Sequence, residues 1–242
     1  MKKNIALVFA GGVGERMHTK SAVPKQFLEV DSKPIIIYTL EKFEDTPEID
    51  GIVISIVDGW KTYLQDLIKK FNLKKVLDIV EGGKNTQMSQ YNALRAISNF
   101  SDSNTVVLIH DGVRPLVDVK TIQENIRSVR KYGSAITASK AIETISKVKD
   151  QNNITEILDR KNCRMAKAPQ SYFFDSIYAL HKTAIADGKT DFIDSATMMN
   201  FYHKKLHIIE GSMDNIKITT PIDYYIFKAI IDARKGAQIF GY

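Results

Sequence analysis

The sequence predicts an α/β fold in which helices flank a largely parallel β-sheet. Short apolar runs recur along the chain with helical patterns between most of them, the alternation that βαβ units produce. The first run, IALVF, is apolar at every position, as expected for a central strand covered on both faces. Because 242 residues are enough to bury most of the apolar surface in one core, we expect residues 1–242 to form a single domain.

The predicted elements follow from these patterns in chain order. Apolar or β-branched runs predict strands at Ile5–Phe9, Ile52–Val57, Val76–Val80, Thr105–His110, Ser134–Ser139 and Leu206–Glu210. Apolar residues at helical spacing predict helices from Pro34, over Trp60–Phe71 and Thr86–Ile97, around Phe174–Ile185 and Ser195–Tyr202, and from Pro221 onward. We expect the apolar stripes of these helices to form the core.

The segment Ile142–Leu158 departs from this rhythm. Two β-compatible runs flank the polar turn DQNN, which predicts a hairpin. Since a two-stranded hairpin is only marginally stable alone, it should pack on the body of the protein or on a second chain.

Composition excludes several classes of protein. The single cysteine, Cys163, cannot form an intramolecular disulfide or a multi-cysteine zinc site. No apolar run approaches the roughly 20 residues of a membrane span, and the start MKKNIALVFAGG reaches glycines too early for a signal peptide, so a cytoplasmic location is expected. The net charge of +6 is scattered along the chain, a pattern that favours small phosphorylated substrates over nucleic acid.

A glycine-rich turn follows the first strand. The stretch FAGGVGERM contains Gly11, Gly12, Gly14 and Arg16, and Lys25 lies shortly after it. Glycines let backbone N–H groups approach a polyphosphate, and the two cations could hold phosphoryl charge. The turn lacks the third glycine of a dinucleotide fingerprint and does not match a Walker A loop. An ordinary glycine turn with two solvated cations is the alternative.

Polar residues also follow two other strands, at the edge where open parallel sheets bind ligands. In EGGKNTQMS, the backbone at Gly83 could contact a nucleobase, and Ser89 opens toward the next helix. In HDGVRP, Asp111 lies at a strand end as a hard oxygen ligand suited to Mg²⁺, although a lone aspartate there can also simply form a turn. Arg114 follows one turn later.

Near the C-terminus, DNIKITTP places Lys217 between two isoleucines. Alternation in an extended segment turns Lys217 to the side opposite these isoleucines, where it could be a third cation at the same edge of the sheet. Arg16, Lys25 and Lys217 together with Mg²⁺ would stabilise phosphoryl transfer, in which positioning and charge neutralisation supply most of the catalysis.

Five motifs spread over nearly the whole chain carry a family resemblance. In order they are FAGGVGERM, PKQFL, HDGVRP, APQSYFF and DNIKITTP, and together they resemble the methylerythritol-phosphate and ribitol-5-phosphate cytidylyltransferases. The resemblance implies a Rossmann-like three-layer sandwich that uses CTP and Mg²⁺. It also implies a homodimer in which a protruding β-arm, here at about 142–158, completes the partner's site.

The resemblance further implies a role for each matching residue. Arg16, Lys25 and Lys217 would be catalytic, holding the triphosphate and stabilising the transition state at the α-phosphorus. The implied nucleotide contacts are Ala10, Gly11, Gly12, Gly14, Gly83, Ser89 and Gly112. The implied acceptor contacts are Asp111, Arg160 and Lys167, with Asp111 also at the metal and Arg160 reaching across the dimer. Because the nucleophile is an already anionic phosphate oxygen of the acceptor, no general base is required.

Departures from the methylerythritol-phosphate branch bear on the acceptor. Two threonines that contact the acceptor in that branch are matched here by Ala168 and Ile193. Losing two hydroxyl contacts disfavours a substrate that depends on them, so we predict ribitol 5-phosphate as the acceptor. The alternatives are methylerythritol phosphate and a nucleotide-binding relative without turnover, which the altered loop from Lys84 to Thr86 would suit.

Overall fold

A computed structural model describes residues 3–12, 23–150 and 152–240 of the chain. Its strands are β1 (Asn4–Ala10), β2 (Glu29–Val30), β3 (Lys33–Pro34), β4 (Gly51–Ile56), β5 (Val76–Glu81), β6 (Val106–Asp111), β7 (Ser134–Lys140), β8 (Ile145–Val148), β9 (Ile154–Leu158), β10 (Arg164–Phe173) and β11 (Ile208–Glu210). Its helices are α1 (Ile35–Glu44), α2 (Lys61–Lys70), α3 (Thr86–Ile97), α4 (Val119–Tyr132), α5 (Phe174–Ala186), α6 (Ser195–Phe201) and α7 (Pro221–Phe240). Each predicted strand and helix therefore has a counterpart.

Within the described residues, the main sheet has seven strands in the order β11-β7-β10-β6-β1-β4-β5. Strand β1 pairs in parallel with β4 and β6, β4 with β5, and β7 with β11. Only β10 runs antiparallel to its neighbours in this sheet, β6 and β7. The predicted largely parallel sheet is thus confirmed.

Side chains of β1 alternate between two apolar layers. Ala6 and Val8 face a cluster completed by α1, α2 and α4, whereas Ile5 and Leu7 face a cluster completed by α3, α5 and α6. Because successive residues of a strand point to opposite faces, an uninterrupted apolar run is what a sheet covered on both sides requires. The predicted three-layer arrangement follows from this pattern.

Strand β10 is the main element that the sequence pattern does not predict. Its sequence, RMAKAPQSYF, has no continuous apolar run, and a proline usually argues against an internal strand because it cannot donate a ladder hydrogen bond. The structure accommodates Pro169, which follows a cis peptide bond, at a shift of register against β7 between Ala166 and Gln170. The irregularity lets this proline-containing segment form an internal strand between β7 and β6.

Helix α4 was also not predicted, although its sequence carries the ordinary signals. The Asp118 carboxylate accepts a hydrogen bond from the Thr121 N–H, which caps the first turn. Ile122 and Ile126 are buried one turn apart, and the helix ends at Gly133 with a φ of 84°.

No helix in the described ranges combines the length and apolar character of a membrane span.

The predicted hairpin at 142–158 is confirmed as the β8–β9 pair. These strands form a separate two-stranded antiparallel sheet in which Ile145 lies opposite Leu158 and Ser146 opposite Ile157. Ile157 is 66% exposed, and Ile154 is similarly uncovered. The hairpin thus leaves large apolar side chains without cover in the single chain.

From two buried histidines we expect the free energy of unfolding to decrease in mild acid. His181 has neither ring nitrogen hydrogen-bonded within the described residues, and burial lowers its pKa to about 4, as it does for His110. The unfolded chain therefore binds more protons between about pH 6.5 and 4, so the free energy of unfolding decreases as the pH falls, by up to about 1.4 kcal/mol per pH unit for each histidine.

We expect His181→Leu to flatten this dependence, as measured by urea unfolding at pH 7.5 and pH 5. The exposed His203 has a φ of 56°, which asparagine tolerates, so His203→Asn serves as the control. If the pH dependence of the free energy of unfolding were unchanged in His181→Leu, His181 would not be a source of it.

Candidate active site

Two adjoining cavities open at the carboxyl ends of β1, β5 and β6. The larger has a volume of about 490 Å³ and is lined by Phe9, Ala10, Gly11, Gly12, Lys25, Gln26, Gly83, Lys84, Asn85, Thr86, Ser89, Asp111, Val113 and Lys217. The smaller has a volume of about 140 Å³ and is lined by Phe9, Thr86, Gln90, Ile109, Asp111, Arg114, Ala166, Lys167, Ala168, Gln170, Ile193, Asp194 and Lys217. The cavities share Phe9, Thr86, Asp111 and Lys217, which therefore form their boundary.

Close backbone packing shapes the wall of the larger cavity. A Cβ on Gly11 would lie 2.8 Å from the Ser89 Oγ, and one on Gly83 would lie 2.4 Å from the Cβ of Met88. The Ser89 hydroxyl accepts a hydrogen bond from the Gly83 N–H at 3.0 Å and donates to the Asn85 carbonyl at 2.8 Å. Ser89 thus holds the glycine loop against the start of α3.

Gln26 anchors the turn that carries Lys25. Its side-chain amide donates to the Ala10 carbonyl at 2.7 Å, and the side chain is buried. This contact places Lys25 beside the end of β1, where the glycine turn begins.

Asp111 is the electrostatic centre of the boundary between the cavities. Its Oδ2 accepts a hydrogen bond from the Arg114 Nε at 2.7 Å, and its Oδ1 lies 2.5 Å from the Lys217 Nζ. Burial alone would raise the pKa of Asp111, but Lys217 and Arg114 together lower it to about 2. The carboxylate is therefore ionised at neutral pH and holds both cations in place.

The segment that carries Lys217 is fixed by hydrogen bonds of Asn215, through both its main chain and its side chain. The Asn215 main-chain carbonyl accepts from the Arg114 Nη1 at 3.0 Å, and the Asn215 side-chain Nδ2 donates to the Ala168 carbonyl at 2.7 Å. Ile218 is buried and Ile216 packs beside it, so Lys217 faces the opposite side, as alternation predicts. However, residues 214–220 form no strand.

Lys167 also helps to hold the segment that carries Lys217. Its Nζ donates to the Met213 carbonyl at 3.0 Å and lies 3.4 Å from the Asn215 carbonyl. Burial, with Arg114 nearby, lowers the pKa of Lys167. Lys167 lines the smaller cavity, as its predicted acceptor role requires, but its amine also braces the Lys217 segment.

Most of the predicted site residues meet in one place. Those that line one or both cavities are Ala10, Gly11, Gly12, Lys25, Gly83, Ser89, Asp111, Lys167 and Lys217. Gly112 lines neither cavity, and a Cβ there would lie 2.8 Å from the Cβ of Ala10, so its small size serves packing beneath the site. Gly14 and Arg16 lie outside the described residues.

Arg160 lies elsewhere in the chain. Its Nη1 donates to the Ile142 carbonyl at 2.8 Å, and it borders a shallow cavity with Lys140, Lys161 and Arg164. That cavity shares no residue with the two at the sheet edge, so Arg160 does not line its own chain's site. Its predicted contact with the acceptor depends on a second chain.

The described residues contain no group of three or more histidine, cysteine, aspartate or glutamate side chains placed to hold a metal ion. Asp111, with both oxygens close to cations, is the carboxylate that borders both cavities. A divalent cation here would need oxygen ligands from a substrate as well.

Comparison with known proteins identifies the family. The family model described as IspD, 2-C-methyl-D-erythritol 4-phosphate cytidylyltransferase, matches residues 4–233. This chain belongs to that family. The motif-based prediction of the cytidylyltransferase family is thereby confirmed.

Relatives within the family carry two different acceptor names. The chain is 48% identical over 238 residues to a ribitol-5-phosphate cytidylyltransferase of Streptococcus agalactiae serotype III, covering 98% of this chain and 99% of the relative. It is 47% identical to the protein of that name from Vibrio parahaemolyticus, covering 98% and 100%. A 2-C-methyl-D-erythritol 4-phosphate cytidylyltransferase of Clostridium kluyveri is 37% identical, with 97% and 99% covered.

Solved structures of the family share the fold. A 4-diphosphocytidyl-2C-methyl-D-erythritol synthase from Anaerococcus prevotii superposes with a TM-score of 0.81 at 26% identity, covering 96% of each chain. The Rossmann-like α/β sandwich predicted for this family is thus confirmed.

Proposed function

We propose that this chain transfers CMP from CTP to ribitol 5-phosphate, producing CDP-ribitol and pyrophosphate. The observation that carries the proposal is the meeting of two cavities at the Asp111–Lys217 ion pair. The larger cavity suits a nucleoside triphosphate and the smaller one suits a short phosphorylated acceptor. The names of the relatives at 47–48% identity favour ribitol 5-phosphate as that acceptor. Because CTP is the co-substrate, we expect the reaction to occur in the cytoplasm.

The chemistry requires neutralisation of charge rather than removal of a proton. A phosphate oxygen of the acceptor attacks the α-phosphorus of CTP, a new P–O bond forms, and the bond to the β-phosphate bridge breaks to release pyrophosphate. The nucleophile is already anionic at neutral pH, so the main barrier is the approach of two anions. Lys25 and Lys217 line the larger cavity and would offset this charge, with Arg16 proposed as a third cation.

Mg²⁺ is the proposed cofactor, with Asp111 as its ligand from the protein. Mg²⁺ commonly binds to one or two carboxylates together with substrate phosphates, so one ionised carboxylate at the cavity boundary fits this role. A carboxylate has about four lone-pair sites on its two oxygens, so Asp111 can bind a metal as well as its two cationic partners. The ion would screen the negative charge of the triphosphate.

Two residues in the smaller cavity support the choice of acceptor. Ala168 and Ile193 line it with apolar side chains, so neither offers a side-chain hydrogen bond to an acceptor hydroxyl. An acceptor that depends on hydroxyl contacts at these positions would bind weakly. Methylerythritol phosphate is the second candidate, supported by the name of the matching family model.

Parallel assays of acceptors test the proposed function. Pyrophosphate release with Mg²⁺ and CTP should occur with ribitol 5-phosphate and fall at least tenfold with 2-C-methyl-D-erythritol 4-phosphate. Replacing CTP with UTP tests base selection, and omitting the acceptor measures background hydrolysis. Turnover with methylerythritol phosphate alone would reverse the assignment of the acceptor. Lack of turnover with both acceptors would favour a nucleotide-binding relative.

We further propose that the 142–158 hairpin is a dimerisation arm. Three large apolar side chains of the hairpin, Val148, Ile154 and Ile157, are 55%, 60% and 66% exposed. Exposed apolar side chains on an isolated hairpin are typical of an interaction surface. Arg160 follows the hairpin directly and would then reach the partner's smaller cavity.

We expect Ile157→Asp to give a monomer with at least tenfold lower turnover, because it places a charge at the proposed interface. Ile222→Asp is the matched control, since Ile222 on α7 is exposed to a similar extent, 63%. Light scattering and pyrophosphate release measure the two effects. A fully active Ile157→Asp monomer would remove the shared site from the proposal.

A further inference from the structure

Gln90 is a buried polar residue of the smaller cavity whose side-chain amide has no hydrogen-bond partner among the residues that the structure describes. It lies on α3 one turn after Thr86, lines the cavity, and is only 2% exposed. Within the described parts of the chain, its side-chain amide makes no hydrogen bond. The amide is not completely enclosed by protein, and the residue borders the smaller cavity.

The other buried glutamines show how unusual this is. Gln26 donates to the Ala10 carbonyl. Gln87 donates to the Lys189 carbonyl at 2.9 Å and accepts from the Phe192 N–H at 2.8 Å. Gln170 donates to Asp194 at 2.9 Å, and its carbonyl oxygen accepts from Ser195 and Ala196. Buried amides are normally hydrogen-bonded, and the described residues provide no partner for the Gln90 amide, so this amide is available to a ligand in the smaller cavity.

The chemistry of the cavity indicates what that partner is. Asp111 and Lys217 lie at the boundary with the larger cavity and Arg114 lines the smaller cavity beside them, so the two cations suit the phosphate of an acceptor. An acceptor held there by its phosphate would extend its carbon chain into the smaller cavity. A primary amide can both donate and accept, which matches a hydroxyl group with the same two capacities.

We infer that the Gln90 side chain hydrogen-bonds a hydroxyl group of the alditol chain and is a specificity-determining residue for the acceptor. This inference rests on the proposed function, because it requires a polyol phosphate in the smaller cavity. It assigns recognition of the hydroxyl to α3, whereas Ala168 and Ile193 supply apolar surface.

Gln90→Met tests the inference, since methionine has a similar length and no amide. We expect kcat/KM for ribitol 5-phosphate to fall about 10- to 100-fold, mainly through the KM of the acceptor, with the KM for CTP within twofold of the parent. The thermal midpoint without substrates should stay equal or rise, because an unpaired buried amide is removed. Gln65→Met, at an exposed position on α2, is the matched control.

Deoxy analogues of the acceptor make the test specific to hydroxyl recognition. The analogues are ribitol 5-phosphates that each lack one hydroxyl group. For one of them we expect a low kcat/KM in the parent and no further decrease of kcat/KM in Gln90→Met. The inference about Gln90 would be overturned, without affecting the proposed function, if every analogue lowered kcat/KM by the same factor in both proteins. An acceptor KM unchanged in Gln90→Met would have the same consequence. A parent that uses CTP but not ribitol 5-phosphate would overturn the proposed acceptor and this inference together.

Discussion

Lys217→Ala is expected to lower kcat with CTP and ribitol 5-phosphate by about 10²–10³, the typical effect of removing one preorganised donor to a developing anion. The Lys217 Nζ is placed by the Asp111 carboxylate at 2.5 Å, and the side chain lines both cavities. Under the proposed function, it therefore lies where the phosphate of the acceptor would approach the α-phosphate of CTP. Steady-state release of pyrophosphate at saturating CTP measures the effect.

Controls separate this effect from a loss of folding. Lys228→Ala removes an exposed lysine of α7 and should retain the parent rate. Lys217→Arg keeps the positive charge but changes the shape of the group, so its kcat should lie between those of the parent and Lys217→Ala. A kcat for Lys217→Ala within tenfold of the parent, in a protein with an unchanged thermal midpoint, would show that Lys217 does not stabilise the transition state.

Asp111→Asn should lower kcat by at least about 100-fold, because the residue has two proposed tasks. Its carboxylate holds Arg114 and Lys217, and an amide in its place would leave two neighbouring cations without their shared counterion. It is also the proposed protein ligand of Mg²⁺, so the concentration of Mg²⁺ for half-maximal rate should increase. Titration of Mg²⁺ at saturating substrates measures both changes.

The matched control is Asp58→Asn. Asp58 also follows a strand, β4, but it is exposed and lines neither cavity. An Asp111→Asn variant with the parent's rate and Mg²⁺ requirement would contradict both tasks.

Because the pKa of Asp111 is lowered to about 2, its stabilising ion pairs are complete above about pH 4 and are lost only as the pH falls toward 2. The parent's rate profile between pH 5 and 9 should show no titration of this group.

Much of the candidate site was predictable because it depends on local signals at strand ends. Gly11, Gly83 and Asp111 each follow an apolar run, and parallel strands bring their carboxyl ends to one edge of a sheet. Alternation also predicts that Lys217 faces away from its neighbouring isoleucines, and it does. These inferences need only the period of the strand and the chemistry of a turn.

Other features carry no such local signal. The amine of Lys167 donates to carbonyls 46 and 48 residues away, which no spacing in the sequence reveals. Strand β10 is polar and contains Pro169, so its place between β6 and β7 is unexpected from propensity. The sequence does not distinguish Gln90 from Gln87, and only the packing around Gln90 shows that its amide has no partner among the described residues.

The sequence by itself determined the family, the parallel apolar core and the residues at the strand ends, because hydrophobic period and turn chemistry act between near neighbours. The tertiary structure decided which side chains are supported and which remain available for a ligand. The guanidinium of Arg114, for example, meets the Asn215 carbonyl across 101 residues of chain. Contacts of this kind depend on how strands and loops pack, since burial determines which polar groups must find partners.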